Sequence, residues 1–129
     1  MKKKDYSKEI STILRGVGMP AHLLGYRYMK EILQIVLDDE NRIHALSTSV
    51  YPEVAEKFGT TYQRVERAIR HAVEAATNNM PPEREYRYFG YCINFNRGKA
   101  TNSEFIAILA EHIRNGTFVD EMEQRGDSK

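Results

Sequence analysis

Apolar residues recur at helical spacing along almost the whole chain, and no run alternates apolar with polar as a half-buried strand would. That pattern predicts an all-α fold of about six helices. Ile10, Ile13, Leu14 and Val17 mark a short first helix. Gly16 and Gly18 end it, and Met19-Pro20 begins a new direction. A second helix is expected over about 21–38, with Leu23, Leu24, Tyr28, Ile32, Leu33, Ile35 and Val36 on its apolar side. The acidic stop Asp38-Asp39-Glu40 follows and reads as a solvated helix end. Ile43, Leu46, Val50, Val54, Ala55 and Phe58 then continue the helical period. Pro52 falls inside that run, so it either opens a new segment, where its missing N–H costs nothing, or kinks one helix.

Gly59 closes this segment, and Thr60 or Thr61 caps the next one. Thr60 with Gln63 has capping-box spacing. That helix is expected to run to about residue 77, and Asn78-Asn79-Met80-Pro81-Pro82 stops it. Residues 83–100 are tyrosine-rich and then loop-like. Thr101-Asn102-Ser103-Glu104 forms a second capping box before Phe105, Ile106, Ile108, Leu109 and Ile113, and Asn115-Gly116 is the stop. Residues 117–129 read as a polar tail.

The chain of 129 residues fits one domain. It has no apolar run of the ~18 residues that a membrane span needs. No apolar stretch follows the basic start MKKKDYSKEI, so that start is not a secretory signal. The single cysteine, Cys92, makes no internal disulfide and reads as a small buried hydrophobe. These features predict a cytoplasmic protein. His22, His44, His71 and His112 show no paired ligand spacing, and no nucleophile sits beside a recognisable base. Gly16-Val17-Gly18 lacks the strand–turn–helix context of a phosphate loop. The expectation is therefore no enzyme, no metal and no cofactor. His22 reads as a packed or capping histidine, and Tyr26, Tyr28, Tyr86, Tyr88 and Tyr91 as half-buried.

One segment stands apart. TTYQRVERAIRHAVEAA, residues 60–76, carries three arginines and a histidine in a chain whose net charge is only +1. On a helix at ~100° per residue, Val65, Ala68, Ile69, Ala72 and Ala76 fall on one side. Gln63, Glu66, Arg67, Arg70, Glu74 and Thr77 fall opposite, with Arg64 and His71 on a flank. The inner side is narrow and alanine-rich, which lets the helix sit close to its support. The outer side suits base edges: arginine grips guanine O6 and N7, glutamine grips adenine N6 and N7, and glutamate accepts from cytosine N4. Residues 51–58 before it, then Gly59, Thr60 and Thr61, complete a short helix, a tight turn and a longer helix. That is the helix-turn-helix arrangement, whose second helix enters the major groove. Arg67 is expected to read a guanine, with Glu66 favouring that pairing or a neighbouring cytosine. Arg70 is expected on a base or phosphate. Lys57, Thr60 and Thr61 are expected on phosphates near the helix N-terminus. Ordinary ion pairing on a solvated face, as between Glu66 and Arg70 at i,i+4, is the plainer alternative.

Several motifs add a resemblance. Residues 65–72, VERAIRHA, and 101–107, TNSEFIA, resemble the C-terminal DNA-binding effector domain of stage 0 sporulation protein A, the sporulation response regulator. Gly18-Met19-Pro20-Ala21-His22 with Gly25-Tyr26-Arg27-Tyr28 is similar too, as is Tyr51-Pro52 with Ala55 and Lys57-Phe58. The likeness spans roughly residues 10–114. It implies a six-helix fold with a helix-turn-helix that binds double-stranded DNA. It implies base and phosphate contacts from Glu66, Arg67 and Arg70, supported by Gln63, Arg64 and His71. It also implies tandem head-to-tail copies on DNA, meeting through the last helix near Ala110, Glu111 and Ile113. A contact with an RNA polymerase sigma factor is implied around Phe89, Tyr91 and Ile93.

The chain departs from that pattern in places. Nothing of a receiver domain's length precedes Ile10 in this sequence, so the chain is expected to be either an isolated effector domain or a stand-alone relative, and the start MKKKDYSKEI favours the second. Ala100 stands where the family tends to have proline, and residues 78–87 diverge. A protein-interaction module that pairs with or antagonises a full-length regulator is the alternative function. It has no need for Arg67 and Arg70 on an outward face.

Overall fold

The computed structural model describes residues 4–90 and 101–117. Among them are six α-helices and no strand, as the apolar periodicity predicts. They are α1 (Ser7–Gly16), α2 (Leu24–Asp38), α3 (Tyr51–Phe58), α4 (Tyr62–Asn79), α5 (Pro82–Phe89) and α6 (Asn102–Asn115). A 3-10 turn over Glu40–Ala45 and a π-turn over Leu46–Val50 join α2 to α3.

The centre of the fold is α2. It packs against α1, α3, α4 and α6, which requires an apolar surface on more than one side. Its buried residues supply that: Tyr28, Met29, Ile32, Leu33, Val36 and Leu37. The crossing with α4 is the closest. A Cβ added at Gly25 would stand 2.2 Å from the Ala68 carbonyl oxygen and 2.7 Å from the Ala72 Cβ. Only a glycine on one helix and small residues on the other let two backbones approach this far. The alanine-rich inner side of α4 has this use.

Several boundaries differ from the expected ones. The helix predicted from about 21 begins at Leu24. The chain first makes a turn, with Leu23 N–H donating to Pro20 C=O at 3.3 Å and Tyr26 N–H to Leu23 C=O at 3.1 Å. His22 is therefore on the surface instead of packed. Pro52 opens α3, and the helical path before it changes type, from 3-10 to π to α. A proline ring collides with the carbonyl four residues back in a regular helix, and the wider π-turn relieves this. Residues 82–89, the end of the proline stop and the start of the tyrosine-rich stretch to which the sequence alone assigns no element, form α5, with Pro82 in its first turn where a proline is tolerated. Arg84 of α5 is buried and donates to Gly16 C=O at 2.9 Å, tying α5 to the end of α1. The Thr101 capping box is present in both directions, at 3.1 Å and 2.9 Å.

Candidate nucleic-acid interface

The turn between α3 and α4 is built locally. Gly59 adopts φ 67° and ψ 39°, a left-handed conformation that costs most other residues energy. Thr60 N–H then donates to Ala55 C=O at 2.9 Å and Gly59 N–H to Glu56 C=O at 3.3 Å. This pair of bonds satisfies the end of α3 and reverses the chain. Thr61 is the N-cap of α4, its hydroxyl accepting from Arg64 N–H at 3.3 Å. Thr60 is not the cap, and the Thr60–Gln63 capping box does not form. The closure on Ala55 uses Thr60, which moves the helix start one residue on. Val54 and Ala55 of α3 and Val65 and Ile69 of α4 are buried, and the two helices pack on each other.

The outward face of α4 carries Gln63, Arg64, Arg67, Arg70 and His71, all exposed. Arg64 and His71, placed on a flank by periodicity alone, share this surface with Arg67. Glu66 and Glu74, placed on the face, are half-buried instead. Their side of α4 turns toward the start of α6, where Asn102 donates its amide to Glu66 C=O at 3.4 Å. The Glu66 carboxylate lies 3.9 Å from the Arg70 guanidinium. Among the described residues no carboxylate pairs with Arg64 or Arg67. The first turn of α4 holds no acidic residue, so the positive end of its dipole is not neutralised locally.

The remaining expected contacts are scattered. Lys57, on α3 just before the turn, bridges to Glu31 of α2 at 2.9 Å. Thr60 is half-buried and Thr61 exposed. Tyr62, which sequence reasoning passed over, opens α4 and is exposed beside the arginine face. Fixing the cap at Thr61 was the missing step, since Tyr62 then becomes the first helical residue. Phe58 is also partly exposed, with its ring edge-on to Tyr28 at 5.2 Å between centroids.

The contacts implied for partners fare differently. Ala110 and Ile113 are 1% and 5% exposed, so both belong to this chain's own core, and only Glu111 of that trio reaches solvent. The α6 stripe that includes them faces inward because it packs on α1, α2 and α4. Phe89 is likewise 1% exposed and stacks on Phe105 at 5.3 Å. Tyr91, Ile93, Cys92 and Ala100 lie outside the described residues. Of the tyrosines, Tyr28 and Tyr88 are buried and Tyr26 is half-buried, whereas Tyr86 on the outer side of α5 is 58% exposed. No helix among the described residues is long and apolar enough to cross a membrane.

An all-α domain in which a short helix, a three-residue turn and a long arginine-faced helix follow one another is compatible with a helix-turn-helix, and so with the class of DNA-binding effector domains. The chain belongs to the family described as sporulation initiation factor Spo0A C terminal, whose model matches residues 10–113. That match covers nearly all of the helical part. Membership is consistent with a DNA-binding regulatory domain and places the chain among sporulation and transcription regulators.

Proposed function

We propose that this protein is a sequence-specific reader of double-stranded DNA that regulates transcription, with α4 lying in the major groove. The observation that carries this reading is the exposed row of Gln63, Arg64, Arg67, Arg70 and His71 on a helix held by a tight turn. Arg67 is central in that row and takes a guanine. Arg70, steadied by Glu66, takes a neighbouring base or a phosphate. Gln63, Arg64 and His71 contact bases or backbone on either side. Thr60, Thr61 and Lys57 meet phosphates near the α4 N-terminus, where free N–H groups and the helix dipole favour an anion. No reacting group is needed for this role, and the protein acts by binding rather than by catalysis.

Two copies on tandem boxes would touch through the solvent side of α6, at Glu111, since Ala110 and Ile113 are occupied inside the chain. For a sigma-factor contact the exposed face of α5 is the better surface. Glu83, Tyr86 and Arg87 stand at i, i+3 and i+4 there, while Phe89 is in the core.

The test is a fluorescence-anisotropy titration of the protein against random duplex libraries at two salt concentrations, with Arg67→Ala alongside. Selective, salt-sensitive binding that the variant loses supports the reading. Binding indifferent to sequence and to the variant would sink it in favour of a protein-interaction module.

A further inference from the structure

Asn102 is the first residue of α6, yet its side chain does not cap its own helix. Thr101 does that, in a complete box with Glu104. An asparagine near a helix start ordinarily bonds its own backbone. Here the amide crosses to α4 and donates to the main-chain carbonyl of Glu66, 36 residues away in sequence. At 3.4 Å that bond is long, and alone it would hold little. A second group supports it. Tyr51, 2% exposed at the start of α3, lines the same groove as the Asn102 side chain. Burial holds the Tyr51 phenol above its ordinary pKa, with the neighbouring Asn102 side chain opposing. It therefore stays neutral and keeps its proton. Tyr51, Asn102, Glu66 and Arg70 line one groove between α4 and the start of α6.

This junction touches α4 at one level of its outward row. Glu66 is the residue whose carboxylate meets Arg70, while Arg67 is exposed and does not line the groove. A helix free to roll about its axis by a few degrees displaces the tip of an arginine far more than its own backbone. Packing of Val65, Ile69 and Ala72 limits that roll but consists of non-directional contacts. A hydrogen bond to one named carbonyl is directional. We infer that Asn102 and Tyr51 are positioning residues for base selection: they fix α4 at Glu66, hold the Glu66–Arg70 pair in its reading position, and tie it to the start of α6. The inference rests on the DNA-reading function proposed above. It adds that specificity at the base pair read through Arg70 depends on two residues that touch no DNA.

The experiment measures affinity of the whole chain for its selected box, for every single-base variant of that box and for an unrelated duplex. Asn102→Ser keeps a residue suited to a helix start but cannot reach Glu66. Tyr51→Phe keeps the ring and removes only the hydroxyl. Thermal unfolding is recorded for both, and Arg70→Ala and Arg67→Ala locate their base pairs. In both variants, discrimination at the Arg70 base pair should fall by about 3- to 10-fold, the effect of one hydrogen bond. Discrimination at the Arg67 base pair and affinity for the unrelated duplex should stay unchanged. Unaltered discrimination at the Arg70 base pair would overturn the inference, as would an Arg70→Ala that weakens every duplex alike and so locates no base pair, or an equal loss at every position that tracks the melting temperature. Wild-type protein without sequence preference would overturn the DNA reading itself, and the inference with it.

Discussion

Gly25 on α2 and Ala72 on α4 sit so close that a Cβ on the glycine would be 2.7 Å from that of the alanine. The Ala68 carbonyl oxygen would be closer still, at 2.2 Å. Real Cβ atoms do not approach a backbone oxygen this far, so the two helices meet through bare backbone. The contact sets how deeply α4 is seated, and with it how far the arginine row projects from the body of the protein.

Gly25→Ala should therefore force α2 and α4 apart. Overpacking of this kind costs about 1–3 kcal/mol. Urea unfolding should show a lower midpoint, and affinity for the selected DNA box should fall with it because the reading helix shifts. A variant as stable as wild type would show that the crossing is looser than described.

Arg67→Ala removes the central side chain of the outward row. The expected loss is ~1–3 kcal/mol of binding, with preference relaxed at one base pair. Anisotropy titrations against single-base variants check this. Unchanged affinity and unchanged preference would remove Arg67 from the interface.

Lys57 and Glu31 give a paired test of phosphate contact. Lys57→Ala should weaken binding to every sequence and flatten the dependence of log affinity on log salt by about one unit. Glu31→Gln should act oppositely. The carboxylate now holds the Lys57 ammonium at 2.9 Å, and an exposed pair of this sort is worth about 0.2–1 kcal/mol. Freed from it, Lys57 should bind all duplexes somewhat more tightly. Weaker binding by Glu31→Gln would mean that the bridge orients Lys57 rather than competing for it.

Substitutions on α6 should separate core from surface. Ala110→Glu places a carboxylate in the core and should cost on the order of 3 kcal/mol or more, unfolding much of the protein. Glu111→Lys changes only an exposed residue. It should leave the melting temperature and single-box affinity intact while reducing affinity for tandem boxes. Equal affinity for tandem boxes in Glu111→Lys and wild type would move the contact between copies off this side of α6.

Much of the chain was legible because its signals are local. Gly59 and the Thr101–Glu104 box act through bonds spanning three to five residues, so residue order alone announces them, whereas it leaves the cap of α4 open between Thr60 and Thr61. The same holds for Pro52 and Pro82, whose rings forbid a regular helix immediately before them. Periodicity likewise marked the inner side of α4 as narrow and small, the side that Gly25 meets. The alanine and arginine sides of α4 were thus readable as opposite.

The rotation of each helix was not readable, since it depends on neighbours distant in sequence. Glu66 turned out half-buried because α6 arrives beside it, and His71 joined the exposed row because no helix among the described residues covers that side. Ala110, Ile113 and Phe89 have the residue types of a contact surface or of a core alike, and only the packing of α6 against α1, α2 and α4, and of Phe89 on Phe105, assigns them to the core. The Asn102–Glu66 bond joins residues 36 positions apart, across a separation that no helical period spans. Local bonds decide where a helix starts and stops. The direction its side chains face is decided by the neighbour that removes the most apolar surface from water, and that neighbour exists only once the chain has folded.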